Sequence, residues 1–558
     1  MPPKKILVSG RRLELVGGNN WISTEQWSLA QRRMWRVLAC VALMAVAGPQ
    51  PTTGEVYTSI QDLTAVFSLE RRVVSALSNY VDDMEAKLLR IRKYLREYEQ
   101  VSAEGTVTDE VTMERLAGNP VHAFHLMKRL TVDWRHLEEQ SKVDPWMDVI
   151  NAMRGVGGGG VRLPNEEDLQ GAAQALVRLH DVYNLNTTQL ARGNVWGVQS
   201  AAELTAQDCL YMGKHSFNLG LYQRAVQWFE EAYALAGLEG NATVTQDQVN
   251  VFLDTAIKAL DDNPYGQLEI GQQENFSTRT NLQEEPSPSH RLATVLTPRE
   301  DAANFHALCR GQQLLSDAYV ATLKCFYDWR GDDYLRLMPA RVERHHWNPE
   351  LLTFHQVISD NEILRLQQLA APALSRAMVQ GPQGKGNTVS NTRTSKVGWL
   401  DDSQDPLVAR LSARAARLTG LSTSVSNDDA EMLQVANYGI GGHYNPHHDY
   451  LLVDKTEEEL NNIHPRELVL GDRIATFMFY LSDVTRGGAT AFPRLGTAVW
   501  PSKGSAAFWY NLKRSGKGSL ATLHGACPVV HGSKWVSNKW IRERGQFLKR
   551  TCGLSPDE

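Results

Sequence analysis

The apolar positions change period along the chain, and each change marks a different kind of element. In residues 56–100, Val74, Leu77, Val81, Met84, Leu88, Ile91, Leu95 and Tyr98 recur at alternating spacings of three and four. This is a heptad seam, which predicts a helix whose apolar face joins a second chain in a coiled coil. An amphipathic helix lying on its own domain would produce part of the same stripe. Met127, Leu130, Trp134 and Leu137 repeat the spacing in a second segment.

Helical periodicity returns over 167–262. It predicts helices at 168–183, 204–219, 221–236 and 246–260, with Gly220 at the turn between the middle two. Gly213, Ala225, Phe229 and Ala232 stand where a tetratricopeptide unit places its small and aromatic residues. One such unit cannot bury its own face, so the flanking helices must cover it. A plain helical hairpin is the simpler alternative. The stretch "MRGVGGGGVRLPNEED" at 153–168 lacks the Gly-Lys-Ser/Thr of a phosphate loop and reads as a flexible break. Residues 263–300, with "EEPSPSH" inside, read as a polar linker.

From about residue 350 the pattern becomes strand-like. The runs "EMLQVANY" (431–438), "RIATFMFYLSD" (473–483), "TAVWPSKGSAAFWYNL" (497–512) and "ACPVVHGSKWVSNKWI" (526–541) are separated by glycine-rich turns. Many short strands of this kind predict a closed double sheet, a jelly roll. The expected fold is therefore multi-domain α + β: a helical coiled-coil region, a helical tetratricopeptide-like domain and a C-terminal double-stranded β-helix.

Length agrees, since 558 residues exceed what one core holds and suggest two to four domains. A net charge of −5 offers no basis for a nucleic-acid or polybasic membrane role. Residues 34–48, "MWRVLACVALMAVAG", follow Arg32 and Arg33 and have the length of a signal-peptide core, too short for a comfortable membrane span. They are read as a signal peptide cleaved near Ala47, with Met34 a possible start. A signal anchor or a buried segment are the alternatives.

Of six cysteines, Cys40 lies in that run. Cys309, Cys325, Cys527 and Cys552 read as disulfides in an oxidising lumen; three pairings exist, and the local one, Cys309 with Cys325 and Cys527 with Cys552, is preferred. Cys209 is expected to be a small core residue. Sequons at Asn186, Asn241 and Asn275 agree with secretion.

The candidate chemistry lies in "YNPHHDY", 444–450. Residues two apart on a strand share a face, so His447 and Asp449 point one way and His448 the other. An imidazole and a carboxylate so placed are two ligands of a facial triad, which leaves positions open on Fe(II). The third ligand must come from a distant strand. His524 in "TLHGACP" is the candidate; its rival His531 stands beside Gly532 in an expected turn and would face solvent. Lys534, on the next strand, would need an anionic partner inside an apolar barrel, and the far carboxylate of 2-oxoglutarate supplies one. His443 is expected in a glycine loop at the barrel mouth.

At these residues the chain resembles the α subunits of collagen prolyl 4-hydroxylases, which are Fe(II)/2-oxoglutarate dioxygenases. "LQVANYGIGGHYNPHHDY", "GDRIATFMFYLSDV", "GGATAFP", "FWYNL", "ACPVV" and "KWVSNKWIRERGQ" carry the likeness, and "NPVHAFHLMKRL", "GAAQALVRLHDVYNL" and "LTAQDCLYMGK" extend it upstream. His443 and His448 depart from the family, which commonly has glutamine and phenylalanine there.

The resemblance implies His447, Asp449 and His524 as iron ligands and Lys534 as the partner of 2-oxoglutarate. It puts Tyr438 and Thr476 on the wall of the same pocket, and Arg393 and Trp399 in a loop closing over the peptide. It implies the local disulfides, L-ascorbate as reductant and proline C4 hydroxylation in X-Pro-Gly sequences. Phe217, Tyr222 and Tyr233 are candidate peptide contacts, with core packing as their alternative. A protein disulfide isomerase β subunit in an α2β2 tetramer and the endoplasmic reticulum lumen follow as expectations. Another 2-oxoglutarate oxygenase, or an inactive collagen-binding scaffold, are the competing classes.

The expected division is an extension with signal peptide (1–47), a dimerisation domain (48–152), a peptide-binding domain (160–262), a linker with a disulfide loop (263–340) and the dioxygenase domain (341–558).

Overall fold

The structure, a computed structural model, describes residues 13–15, 21–23, 59–102, 134, 137, 166–199, 203–239, 244–263, 296–380, 387–388, 392–453, 455–461 and 463–555. The apolar run at 34–48, residues 153–165 of the glycine-rich break, Asn241, Asn275, Met127, Leu130 and most of the polar linker lie outside the described residues. Residues Met1–Gly54 form one unit, in which strands Leu13–Leu15 and Trp21–Ser23 pair antiparallel. The rest belongs to the unit Glu55–Glu558.

The heptad stretch is one helix, Ile60–Ser102. It contains no proline or glycine, the residues that would break it. The Ser59 hydroxyl accepts from the Asp62 amide at its start. An ion pair between Asp62 and Lys396 ties that end to the sheet domain. The apolar seam faces solvent in the single chain: Val74 is 58% exposed, Val81 50% and Leu95 50%.

Helices Glu166–Tyr183, Ala206–Asn218, Tyr222–Leu238 and Gln246–Asp262 form the second helical region. Thr205 with Asp208 and Thr245 with Gln248 make reciprocal capping boxes, which set two of the starts. Gly220 turns the chain with φ +74°, a conformation glycine adopts without strain. Gly213 lets two helices cross closely, because a Cβ there would lie 2.3 Å from the Phe229 ring. Cys209, Ala225, Trp228, Phe229 and Ala232 fill the core beneath. Phe217 and Tyr233 are half-buried against this core, and Tyr222 packs on Phe217 with ring centroids 5.2 Å apart.

The sheet domain has a nine-stranded sheet, antiparallel throughout. Its spatial order is Cys325–Asp328, Ala340–His346, Leu351–His355, Ala506–Tyr510, Arg473–Tyr480, Lys534–Arg542, Leu433–Tyr438, Lys396–Leu400 and Ser375–Arg376. A four-stranded sheet has the order Tyr444–His447, His524–Ala526, Thr490–Phe492 and Thr497–Val499. The domain is mixed helix and sheet with a jelly-roll-like C-terminal fold. Its edge strand Cys325–Asp328 precedes residue 341, so the stretch expected as linker is in part sheet. The predicted run 497–512 is two strands, and 526–541 breaks at Pro528 and Gly532, where the chain changes sheets.

The disulfide expectation is corrected. Cys309 bonds Cys527, and Cys325 and Cys552 are exposed free thiols. Helix Pro298–Cys309 packs its last turn on the small sheet, so Cys309 and Cys527 share a buried cluster with Leu179, Val182, Tyr183 and Phe305. Cys325 stands on the outer edge strand of the large sheet with its side chain outward. Nearness in sequence does not say which side of a sheet a thiol ends up on. Cys209 is fully buried, as expected, and burial raises its thiol to about 12.

Helix Glu166–Tyr183 also braces the sheet domain. The Arg178 guanidinium donates to the Gly441 carbonyl at 2.9 Å, and a Cβ at Gly441 would lie 2.5 Å from Ala175. The helix thus lies directly on the turn that leads into "YNPHHDY".

Candidate metal and co-substrate site

Strands Tyr444–His447 and His524–Ala526 pair antiparallel with His447 opposite His524. This register sets the two imidazoles side by side, with ring centroids 4.5 Å apart. Asp449 lies beyond the end of its strand, so its direction comes from the bend that follows rather than from strand alternation. That bend is gripped by Asp472, whose carboxylate accepts from the amides of Leu451 (2.6 Å), Leu452 (2.7 Å) and Val453 (3.0 Å). Asp449 Oδ1 lies 3.7 Å from His447 Nε2, and Oδ2 lies 3.6 Å from His524 Nε2. All three ligand atoms fall within 4.8 Å of one another.

The donor set fits a ferrous ion. His447 Nδ1 lies 2.8 Å from the Asn445 carbonyl, and His524 Nδ1 lies 3.0 Å from the Thr522 carbonyl. A carbonyl only accepts, so each Nδ1 carries the proton and each Nε2 turns a bare lone pair inward. Burial, aided by the neighbouring His524, lowers His447 to about 3, which keeps it neutral as a ligand must be. Burial alone would raise Asp449, but His524, His447, Arg473 and the Thr476 hydroxyl overcome it and hold the carboxyl at about 2. Two imidazoles and one carboxylate converging are the two-histidine, one-carboxylate set of non-haem Fe(II) oxygenases.

Lys534 begins its strand opposite Tyr438, on the large sheet. It is 1% exposed and donates to the Thr490 hydroxyl at 3.2 Å; its Nζ lies 5.7 Å from the Tyr438 ring centre. Burial lowers it to about 7. Among the described residues no carboxylate forms an ion pair with it. A buried ammonium without an anion is the complement of a small dicarboxylate. Sequence reading missed Thr490, although it stands in the quoted "GGATAFP". Tyr480, whose hydroxyl lies 2.9 Å from that of Thr490, was missed as well.

Other expectations change. Thr476, which the resemblance puts on the pocket wall, donates its hydroxyl to Asp449 Oδ2 at 2.6 Å. Trp399 lies on the strand Lys396–Leu400, not in a loop, with its ring centre 5.9 Å from that of Trp540. Arg393 is buried, reaching Ser395 and Gln434 at 3.1 Å each and lying 4.8 Å over the Tyr444 ring. A guanidinium with polar partners and an aromatic face packs inward rather than waiting in a loop. His443 is buried, because its backbone pairs with Thr394 on both sides. His531 does not face solvent freely, since its Nε2 contacts the Val195 carbonyl at 2.9 Å. His448 stacks on Tyr450 with ring centroids 4.7 Å apart. Phe217, Tyr222 and Tyr233 are not brought near the metal ligands by any contact among the described residues.

Comparison with known proteins agrees with this geometry. Residues 59–197 match the family described as "Prolyl 4-Hydroxylase alpha-subunit, N-terminal region", and residues 433–542 match the "2OG-Fe(II) oxygenase superfamily". The chain is 36% identical over 555 residues to rat prolyl 4-hydroxylase subunit alpha-1, covering 94% of this chain and 99% of that one. It is 34% identical over 528 residues to the Caenorhabditis elegans subunit alpha-2, covering 90% of this chain and 94% of that one. Among solved structures, a viral collagen prolyl hydroxylase from Paramecium bursaria Chlorella virus-1 is 25% identical, covering 34% of this chain and 95% of that one, with a TM-score of 0.26. On the full-length similarity to both animal subunits, the chain belongs to the prolyl 4-hydroxylase α-subunit family.

Proposed function

We propose that this protein hydroxylates proline at C4 in X-Pro-Gly sequences of procollagen-like chains, coupled to oxidative decarboxylation of 2-oxoglutarate to succinate. The observation that carries the oxygenase chemistry is the convergence of His447, Asp449 and His524, with the unpaired cation Lys534 held beside Thr490; the prolyl substrate rests on the family to which the chain belongs. His447, Asp449 and His524 would hold Fe(II). Lys534 and Thr490 would take the far carboxylate of 2-oxoglutarate, with Tyr438 on the pocket wall. Dioxygen is the oxidant: with Fe(II) bound, it would take two electrons from 2-oxoglutarate, giving succinate and carbon dioxide, and two from the proline C–H bond, one oxygen atom entering each product. The chain supplies a fixed ligand face, a lysine that sets the direction of the co-substrate, and an apolar wall of Val536, Trp509 and Phe492 that excludes water.

The finer features of the reading rest on the following support. The helix pair around Gly213 has tetratricopeptide character, and the half-buried Phe217, Tyr222 and Tyr233 could meet a polyproline II chain, which is already ordered before binding. The exposed seam of Ile60–Ser102 supports a coiled-coil dimer. The resemblance adds a protein disulfide isomerase β subunit, an α2β2 tetramer and L-ascorbate as reductant of uncoupled iron. The apolar run at 34–48 and the Cys309–Cys527 disulfide support a signal peptide and the endoplasmic reticulum lumen. Asn186 is exposed and caps its helix through its side-chain oxygen, which leaves the amide nitrogen for a glycan. Among the described residues no helix is long and apolar enough to cross a membrane.

The test is incubation with (Pro-Pro-Gly)n peptide, Fe(II), ascorbate and labelled 2-oxoglutarate. Equal yields of succinate and 4-hydroxyproline are expected. Succinate formed without hydroxyproline, across peptides of several lengths, would move the reading to another substrate.

A further inference from the structure

Three buried side chains form a line that ends on the metal carboxylate. The Asn511 amide donates to Thr476 Oγ1 at 2.9 Å, and Thr476 Oγ1 donates to Asp449 Oδ2 at 2.6 Å. Asn511 and Thr476 are each 1% exposed, and Asp449 is 5% exposed. Thr476 lies in the strand Arg473–Tyr480, and Asn511 follows the strand Ala506–Tyr510 paired to it, with Thr476 opposite Trp509. The Asn511 backbone amide also bonds the Ile474 carbonyl at 2.8 Å. The large sheet therefore fixes both side chains before any ligand arrives.

The directions of the hydrogen bonds follow from what each group can do. A hydroxyl has one proton, an amide NH2 only donates, and an ionised carboxylate only accepts. With Asn511 donating to the oxygen of Thr476, the Thr476 proton has one destination, Asp449 Oδ2. Arg473 does not duplicate this role. Its NH1 reaches the main-chain oxygen of Asp449 at 3.4 Å, while its other nitrogens bind Glu431 at 2.6 and 2.9 Å.

We propose that Asn511 and Thr476 are positioning residues that hold Asp449 as a one-oxygen metal ligand. This rests on the metal-site reading above. Oδ2 is reserved for the Thr476 hydroxyl and Oδ1 is left for the ion. A carboxylate free to swing could bind through both oxygens and cover a coordination position that co-substrate or oxygen must occupy. The relay keeps that position open and raises metal affinity by orienting the ligand in advance.

The test uses the full chain and Co(II) alone as the probe, read by equilibrium dialysis and by the visible absorption of the bound ion. Thr476→Val and Asn511→Leu are each expected to weaken Co(II) binding about 10–100-fold and to alter the absorption band. Thr476→Ser, which keeps the hydroxyl, should restore both. In the double variant Asn511→Leu should add nothing to Thr476→Val, because Asn511 acts only through that hydroxyl. Additive losses, or an Asn511→Leu protein that binds Co(II) like the parent, would overturn the relay. If Asn511→Leu fails to fold by circular dichroism, the Thr476 pair decides: equal Co(II) affinity in the Val and Ser variants overturns it. His447→Ala is the separate check on the site itself; parental Co(II) binding there would sink the metal reading rather than the relay.

Discussion

His447 and His524 are direct partners across neighbouring antiparallel strands, although they come from distant parts of the chain. Each holds its Nδ1 proton on a backbone carbonyl two residues earlier, at 2.8 and 3.0 Å. The two ligands are therefore oriented by their own strands as well as by each other. His447→Ala, Asp449→Ala and His524→Ala should each abolish peptide hydroxylation. His448→Phe should retain most of it, because a phenyl ring can keep the stacking on Tyr450. Succinate formation and bound iron are the measurements; a well-folded but inactive His448→Phe protein would refute the ligand choice.

Lys534→Ala should raise the 2-oxoglutarate requirement at least about tenfold, since a lost charge-assisted bond of this kind is worth roughly 1.5–3 kcal/mol. Iron affinity should change far less. Lys539, on the opposite face of the same strand, pairs with Asp402 at 3.5 Å, so Lys539→Met should leave the co-substrate requirement unchanged. The reverse pattern in a titration of succinate formation would show that the strand faces are assigned wrongly.

The same lysine predicts a pH dependence. Burial lowers it to about 7, so above that pH the free protein must take up a proton before it can pair with an anion. Affinity for 2-oxoglutarate should fall about tenfold per pH unit above 7 and level off below it. Without ligand the effect on stability has the opposite sense: an unfolded lysine binds the proton up to about pH 10.4 and the buried one does not, so lowering pH from there towards 7 destabilises the fold. Calorimetric binding from pH 6 to 9 checks the first trend, and Lys534→Arg should flatten it.

Peptide mapping without reductant should recover a Cys309–Cys527 crosslink and leave Cys325 and Cys552 open to alkylation. Recovery of Cys309–Cys325 would overturn that pairing. Cys309→Ser should cost about 2–5 kcal/mol of stability, read by denaturant unfolding, since the bond closes a long loop.

Charges at Leu88 and Ile91 should yield a smaller particle by light scattering. Leu88 is 46% exposed in the single chain, and a coiled coil would cover it. An unchanged mass would remove this seam from assembly.

Much of this was legible in the residues. Helix periodicity placed Glu166–Tyr183, Ala206–Asn218, Tyr222–Leu238 and Gln246–Asp262 within a few positions, because a buried face repeats wherever a helix packs. The strand runs and the glycines between them pointed to a jelly roll. His447 and Asp449 stood out by their two-residue spacing, and His524 and Lys534 by their spacing after it and by the family motifs around them.

Tertiary structure decided what depends on which surfaces meet. Strand alternation does not account for Asp449, because its strand ends at His447 and the bend gripped by Asp472 sets its direction. Only the fold shows that the Thr476 hydroxyl, on the Arg473–Tyr480 strand, meets Asp449. Cys309 finds Cys527 rather than Cys325 because a helix packs on one sheet while Cys325 lies on the outer edge of the other. Local propensity and periodicity are properties of short segments, so one sequence carries them. Register, the side of a sheet and the partner across a core arise only when distant segments exclude water together.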